Sequence, residues 1–249
     1  MNPLFLIRLH KTAGTSFMTG LAAAFEPARI CPWAFQHEFI DRPRAAVDAY
    51  DFFWPHMGLD QARAIRPDAR IVTILRTPRA RIISSYRYWR SQERAAPGYA
   101  GHHELCRKVR HMSLADYLAS DDPAILRAID NAQMRFLAGA GFGDDAATRT
   151  QLFDPPGRFE DLVDVALRRM ATDFACIGVA ERLPASLARA ADVLGLSIPP
   201  ADPRVNVNLD ATDSSQEITA RMERDLERLT RFDSIVYARA VDSLAADGG

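Results

Sequence analysis

Residues 4–16 read Leu-Phe-Leu-Ile-Arg-Leu-His-Lys-Thr-Ala-Gly-Thr-Ser, and this stretch decides the fold. It begins with a short, mostly apolar run, as expected of a buried parallel strand. A turn around Gly14 follows, and apolar residues then recur at helical spacing from Phe17 to Phe25. The sequence therefore predicts a strand, a tight turn and a helix in direct succession.

The same succession recurs along the chain. Three further apolar runs predict strands: Asp51–Trp54, Arg70–Leu75 and Phe174–Val179. Between and after these strands, apolar residues recur at helical spacing, and one predicted helix begins at Pro78. Strands alternating with helices predict an α/β fold, here a P-loop-like, three-layer α/β/α arrangement around a central, mostly parallel sheet. A chain of 249 residues is long enough for one such domain, which we expect to span residues 1–249.

Two other stretches carry weaker patterns. Residues 94–111 are rich in Gly, His and Arg without a period, which predicts a surface loop. The final part of the sequence predicts one long amphipathic helix with a break near Arg231. We expect the acceptor of any reaction to be contacted by the loops at residues 33–45 and 94–111, whose sequences contain no readable recognition pattern.

Composition excludes several classes of protein. The net charge of −1 gives no general attraction to nucleic acid or to an acidic membrane surface. The sequence has no run of the ~20 apolar residues that a membrane span needs. Cys31, Cys106 and Cys176 have no close spacing, and free thiols suit a reducing compartment. Arg8 and Lys11 interrupt the apolar N-terminal stretch too early for a signal peptide, so we expect a cytoplasmic protein.

The turn after the first predicted strand has the features of a phosphate site. A helix N-terminus offers backbone N–H groups and partial positive charge, and Gly14 lets a ligand approach the backbone closely. Thr12, Thr15 and Ser16 add hydroxyl donors, and Lys11 adds a mobile positive charge. Because Lys11 precedes the glycine, the GxxxxGK[ST] order of ATPases and GTPases is absent. An ordinary capped helix explains the same Thr and Ser residues, and this alternative stays open.

A second candidate anion site follows the strand at residues 70–75. Arg76 comes directly after the strand, and Ser84 lies eight residues further on, inside the helix that begins at Pro78. A residue at a strand end and one two turns into the next helix can converge on a single anion. Because Arg supplies a fork of donors and Ser a short hydroxyl, the pair suits a phosphate monoester.

Together the two sites resemble those of a known enzyme family. The run Lys11–Ser16 resembles the 5′-phosphosulfate loop of sulfotransferases that use 3′-phosphoadenosine 5′-phosphosulfate (PAPS). The run Arg76–Tyr86 is similar to that family's 3′-phosphate motif, Arg-Asp-Pro-x-x-Arg-x-x-Ser-x-Tyr. Asn131–Leu137 and Ile177–Arg182 resemble segments of the carbohydrate branch, which includes heparan sulfate 2-O-sulfotransferase. The resemblance spans roughly residues 4–195.

The resemblance implies roles for individual residues. It implies that PAPS is the cosubstrate and that Arg76 and Ser84 bind its 3′-phosphate. The 5′-phosphosulfate would be held by Lys11, Thr12, Ala13, Gly14, Thr15 and Ser16. The sequence departs from the family pattern at His10, where Pro is common, and at Thr77, where the motif has Asp.

Sulfuryl transfer to a hydroxyl needs a base for the acceptor proton and positive charge at the departing phosphate oxygen. Lys11 is the candidate for the second role. For the base we favour His56, which follows a predicted strand and matches the position of a histidine in the carbohydrate sulfotransferases. A histidine that merely ends the strand is the alternative interpretation. His10 is the second candidate base, and His37 and Glu38 are weaker ones.

The leading hypothesis is therefore a PAPS-dependent sulfotransferase that acts on a hydroxyl, of a glycan or glycolipid, and releases 3′-phosphoadenosine 5′-phosphate (PAP). No HxxxH, HxH or Cys/His pair suggests a metal. A nucleotide kinase is one alternative, disfavoured by the missing GK[ST] order and by a site for a 3′-phosphate; a non-catalytic nucleotide-binding protein is another. Arg135 and Arg182 are candidates for contact with an anionic acceptor, or for pairing with Asp130 and Glu181. The sequence does not indicate an oligomeric state.

Overall fold

The computed structural model describes residues 2–39, 41–91, 100–139, 158–199 and 218–246. Its strands are β1 (Leu4–Ile7), β2 (Phe52–Phe53), β3 (Arg70–Leu75) and β4 (Phe174–Val179). They form one sheet in the order β2-β1-β3-β4, and every neighbouring pair is parallel. The bounds of β3 and β4 are those predicted from the sequence, whereas β2 is limited to two residues of the run predicted at 51–54.

Helices surround this sheet. The longer ones are α1 (Gly14–Ala22), α4 (Pro78–Ser91), α5 (Ala100–Val109), α9 (Arg158–Thr172), α10 (Leu183–Leu194) and α11 (Ala220–Ala246). Shorter ones are α2 (Arg44–Asp48), α3 (Leu59–Ile65), α6 (Leu114–Leu118), α7 (Pro123–Ile129) and α8 (Ala132–Leu137), with 3-10 turns at Pro27–Arg29, Gln36–Phe39 and Ala180–Arg182. Local sequence explains several ends: Pro123 follows the capping Asp122 at the start of α7, and Gly195 ends α10 in the left-handed conformation.

The helices cover both faces of the sheet. Helices α1 and α10 pack on one face, against residues such as Leu6 and Val72. Helices α3, α8, α9 and α11 pack on the other, against residues such as Ile7 and Leu75. Helices α4 to α7 and the start of α11 form a further hydrophobic cluster beside the sheet. The predicted P-loop-like, three-layer α/β/α class with a parallel sheet is confirmed.

Two predictions about local structure are wrong. The stretch 94–111, predicted to be a loop, contains helix α5; its residues 94–99 lie outside the described part of the chain. Cys106 and Val109 of this helix are buried in the hydrophobic cluster formed by α4 to α7, and this tertiary packing stabilises the helix. Helix α11 also runs without the predicted break near Arg231, because buried residues continue on both sides of this exposed arginine.

Candidate active site

The loop between β1 and α1 has an unusual backbone. Lys11 and Ala13 adopt the left-handed region, with φ of 66° and 62°, which costs a non-glycine residue about 1–2 kcal/mol. Thr12 between them is buried, and its hydroxyl donates a hydrogen bond to the carbonyl of Leu9 at 3.0 Å. The Thr12 hydroxyl therefore stabilises the loop itself, and a contact from this residue to a phosphate would come from its backbone.

Helix α1 begins directly after this loop. Its first turn closes where the N–H of Phe17 donates to the carbonyl of Ala13 at 3.1 Å. The N–H groups that precede Phe17 point out of the helix end, where the helix carries partial positive charge. A Cβ added to Gly14 would lie 3.5 Å from the aliphatic stem of Arg8, an ordinary contact distance. The fold therefore does not itself require glycine at position 14.

Lys11 and Arg76 meet at the carboxyl end of the sheet. Because β1 and β3 are neighbours, with Ile7 in register with Thr73, the residues that follow both strands lie together. Nη1 of Arg76 is 3.5 Å from the Lys11 carbonyl, to which it donates. Burial, and then the positive charge of Arg76, lower the pKa of Lys11. Residues from the two predicted anion sites thus lie side by side, and each loop contributes one cation.

Two distant side chains hold the backbone that follows β3. Gln133 exchanges hydrogen bonds with both the N–H and the carbonyl of Arg76, at 2.9 and 2.8 Å. Glu181 accepts from the N–H of Thr77 at 2.9 Å and from the hydroxyl of Tyr237 at 2.9 Å. At Thr77, where the family motif has Asp, the residue's own N–H is therefore bound by a carboxylate from another part of the chain.

Helix α4 carries the other residues of the second motif. Ser84 lies two turns into the helix with a half-buried side chain, and its convergence with Arg76 on one anion stays a prediction. The neighbouring Ser85 is buried and accepts a hydrogen bond from Nε1 of Trp89 at 2.9 Å. Arg81 is fully buried and donates to two carbonyls in the last turn of α7. Ser85 and Arg81 therefore stabilise the packing of α4.

His56 lies beside the loop between β1 and α1. Its Nδ1 is 3.0 Å from the carbonyl of Arg8. Since a carbonyl oxygen only accepts, Nδ1 carries the proton of the neutral ring, and the lone pair is on Nε2. The ring stacks on Phe35 with a centroid distance of 5.8 Å, and the backbone N–H donates to Ala34 at 2.7 Å. Glu38 accepts from the N–H groups of Ala34 and Phe35, both at 2.8 Å, so this candidate base instead holds the segment that supports His56.

His10 lies next to His56 and is enclosed by aromatic rings. Its ring stacks on Trp89, with centroids 4.8 Å apart at 10°, and meets the edge of Tyr88 at 4.9 Å. The His10 and His56 centroids are 6.1 Å apart. His10 lies three residues beyond the end of β1. Nζ of Lys11 is 4.4 Å from the centroid of Tyr88, so α4 contributes two rings that the sequence did not suggest.

Arg8 lies under the loop as a further buried cation. Its Nε donates to the carbonyl of Trp54 at 2.7 Å, and its guanidinium lies 4.4 Å from the centre of the Trp54 ring. Burial lowers the pKa of Arg8 to about 10. Arg8 was not among the predicted site residues, because an arginine within an apolar run gives no local indication of its partners.

Arg135 is not available to an acceptor. Its side chain is buried and donates to the carbonyls of Leu126, Arg127 and Asp130 at the end of α7. Burial lowers the pKa of Arg135 to about 10. Arg135 was expected either to contact an anionic acceptor or to pair with Asp130. The structure supports an interaction with Asp130, which is made to its backbone carbonyl rather than to its carboxylate. The side chain of His37 lies outside what the structure describes.

The described residues contain no cluster of metal ligands and no helix able to cross a membrane. Among them, no group of three or more His, Cys, Asp or Glu side chains is arranged to hold a metal ion. Within the same part of the chain, none of the helices combines the length and the apolar character needed to cross a membrane.

No protein-family model and no curated protein matches this chain. Among solved structures, it is similar to the crystal structure of a sulfotransferase from Alicyclobacillus acidocaldarius, with 16% sequence identity and a TM-score of 0.47. The similarity covers 99% of this chain and 95% of the other.

Proposed function

We propose that this protein is a PAPS-dependent sulfotransferase that transfers a sulfuryl group to a hydroxyl of a glycan or glycolipid. The observation that carries the proposal is the meeting of Lys11 and Arg76 at the carboxyl end of the sheet, with His56 beside them. Ligands of open parallel sheets bind at this edge. A cluster of cations with a histidine base fits the transfer of an anionic group to a hydroxyl.

The residues present fit PAPS. Lys11 and Arg76 repel each other, and Arg76 is buried, so both cations are stabilised when the anionic groups of a ligand bind beside them. PAPS has two anionic groups, and the resemblance assigns the 5′-phosphosulfate to Lys11–Ser16 and the 3′-phosphate to Arg76 and Ser84. The left-handed backbone at Lys11 and Ala13 supports the first assignment, because such strain is concentrated at ligand sites.

The residues divide the chemistry between them. When bound, PAPS supplies an activated sulfuryl group whose bridging S–O bond breaks as the acceptor oxygen forms a new S–O bond. Nε2 of His56 takes the proton of the acceptor hydroxyl, while the Arg8 carbonyl holds Nδ1–H and fixes the ring orientation. The ammonium of Lys11 stabilises the negative charge that the departing phosphate oxygen receives with the bond electrons. His10 stays the second candidate base, since its ring lies next to His56.

The acceptor class rests mainly on the resemblance to the carbohydrate branch. The half-buried rings of Phe35 and Tyr88 lie next to His56 and Lys11, and aromatic side chains are common where sugars bind. No nucleic acid and no metal is part of the proposal.

Calorimetric titration with PAP, AMP and ATP tests the nucleotide site. We expect PAP to bind at least tenfold more tightly than AMP, since about 1.5–3 kcal/mol is typical of a hydrogen bond to a charged group. Arg76→Ala should remove this preference. Arg79→Ala is the matched control, because Arg79 lies three residues further on, at the start of α4, in an exposed ion pair with Glu223, and it should bind PAP like the wild type.

The other outcomes identify the alternatives. Preference for ATP over PAP would overturn the proposal in favour of a nucleotide kinase. Tight PAP binding without PAP release from PAPS, across a panel of glycan and glycolipid acceptors, would favour a non-catalytic nucleotide-binding protein. Equal binding of PAP and AMP would contradict the role of Arg76 in a 3′-phosphate site.

A further inference from the structure

The side chain of Gln133 makes the two hydrogen bonds that a neighbouring strand would make just beyond the end of β3. The pairing of β3 with β4 ends at Leu75 and Val179, so the backbone of Arg76 lies just beyond the ladder. There the Arg76 N–H donates to Oε1 of Gln133 at 2.9 Å, and Nε2 of Gln133 donates back to the Arg76 carbonyl at 2.8 Å. A primary amide is the side-chain group that presents a donor and an acceptor side by side. Gln133 is fully buried and lies 57 residues from Arg76 in sequence.

Helix α8, which carries Gln133, is itself fixed from α11. Asn131 starts α8 in the left-handed conformation, and its Oδ1 accepts from the N–H groups of Phe232 and Asp233 at 2.8 and 3.2 Å. In return, Oδ1 of Asp233 accepts from the N–H of Met134 at 2.8 Å. Hydrogen bonds to α11 therefore hold the backbone on both sides of Gln133. Through its own two hydrogen bonds, the Gln133 amide fixes the backbone of Arg76 relative to α8 and α11.

The Arg76 side chain depends on that backbone for its direction. With the backbone held by Gln133 and the next N–H held by Glu181, only side-chain torsions remain for the guanidinium, which reaches the Lys11 carbonyl. Holding a charged group in place before the ligand arrives reduces the entropy lost on binding. If the Arg76 backbone lost these hydrogen bonds, the guanidinium would keep its charge but would lose its fixed orientation.

We propose that Gln133 is a positioning residue for nucleotide recognition: its amide fixes the backbone of Arg76 and so aims the guanidinium at the 3′-phosphate. This inference rests on the proposed function. Gln133 is assigned no contact with the nucleotide. Replacing it should therefore weaken the binding of PAP and leave the binding of AMP unchanged. AMP and PAP differ by the 3′-phosphate alone, so the ratio of their dissociation constants isolates the contribution that Gln133 supports.

The test compares Gln133→Met with the wild type by calorimetric titration of both nucleotides. Methionine keeps the length and approximate volume of the side chain but removes both hydrogen bonds. We expect PAP affinity to fall about tenfold, with AMP affinity unchanged within about twofold, so that the preference for PAP falls about tenfold. A general loss of stability would weaken both ligands alike and would not change the ratio.

Ser186→Ala is the matched control. Ser186 is fully buried and also exchanges two hydrogen bonds with the backbone of one residue, Val179, at 2.8 and 3.0 Å. The control therefore removes the same kind of interaction near the same end of the sheet without touching Arg76. It should lower stability and leave the PAP/AMP ratio as in the wild type. If Gln133→Met does not fold by circular dichroism, Gln133→Asn, whose shorter amide cannot span both backbone groups, is titrated instead.

The outcomes separate this inference from the proposed function. A wild type that prefers PAP and a folded Gln133 variant with the same PAP/AMP ratio would overturn the role of Gln133 alone. A wild type without preference for PAP would overturn the proposed function and this inference with it. A ratio that falls in the Gln133 variant and not in Ser186→Ala supports the positioning role.

Discussion

Replacing His56 by asparagine separates the chemical role of its ring from the structural one. The amide nitrogen of asparagine reaches about as far as Nδ1 of histidine, so it can still donate to the Arg8 carbonyl that lies 3.0 Å from Nδ1. The lone pair at Nε2 has no equivalent in asparagine. His56→Asn should therefore keep the local hydrogen bond and lose the base.

The magnitudes follow from these contacts. Loss of a general base lowers turnover about 10²–10⁴-fold, while PAP affinity should stay within about twofold because the ring is assigned to the acceptor proton rather than to the phosphates. His56→Ala should lose the same activity and also the hydrogen bond to Arg8. It should therefore unfold more easily than His56→Asn, by about 1 kcal/mol. Both variants lose the stacking of the ring on Phe35.

The assay is PAP release from PAPS, measured with the acceptor that gives the highest wild-type rate in the glycan and glycolipid panel. Urea unfolding supplies the stability comparison. His111→Asn is the control, because His111 is exposed and distant in sequence from both histidines of the site. If His56→Asn retained turnover within about threefold of the wild type, the base would not be His56, and His10 would be tested next in the same way.

Two further predictions concern Lys11 and Asp233. Lys11→Ala should lower turnover about 10²-fold or more while PAP affinity falls much less, because the ammonium is assigned to charge that develops during transfer; equal losses in PAP titration and in PAP release would contradict this role. Burial raises the pKa of the Asp233 carboxyl to about 6 from 3.8, so the folded state binds this proton more tightly than the unfolded chain does. Its contribution to stability is therefore fully present below about pH 4 and is lost as the pH rises through about 6, an effect of about 3 kcal/mol. Urea unfolding of Asp233→Asn across this range should lack that part of the wild-type slope, and parallel pH profiles for the two proteins would refute the assignment.

The sequence predicts those parts of the fold whose stability is local. Strand β3 is a run of β-branched and apolar residues between polar ends, and its bounds were predicted correctly at Arg70 and Leu75. Helix α5 was not predicted because it has few apolar residues. Two of them, Cys106 and Val109, are buried by residues of α4 and α7, which are distant in sequence from α5 or follow it. The same reasoning explains why a break was expected near Arg231, where the local pattern is weak but the packing is continuous.

The candidate site divides in the same way. Lys11, Arg76 and His56 were predicted to lie together because each comes soon after a strand, and the ends of parallel strands share one edge of a sheet. Gln133 and Glu181 were missed as partners of this site because they contact residues 57 and 104 positions away. The resemblance of Asn131–Leu137 to a family segment did not indicate which residues this segment contacts.

The hydrogen bonds that α11 makes with the rest of the site have a consequence for how the protein is made. Leu229 and Asp233 hold the start of α8, and the Tyr237 hydroxyl is 3.3 Å from that of Thr77, 160 residues earlier in the chain. A ribosome synthesises residues 229–237 after every other part of the site. A nascent chain can therefore form the loop after β1 early, but it cannot yet hold Arg76 and Thr77 in their final positions. Under the proposed function, selective recognition of the nucleotide would thus be gained only once translation has passed α11.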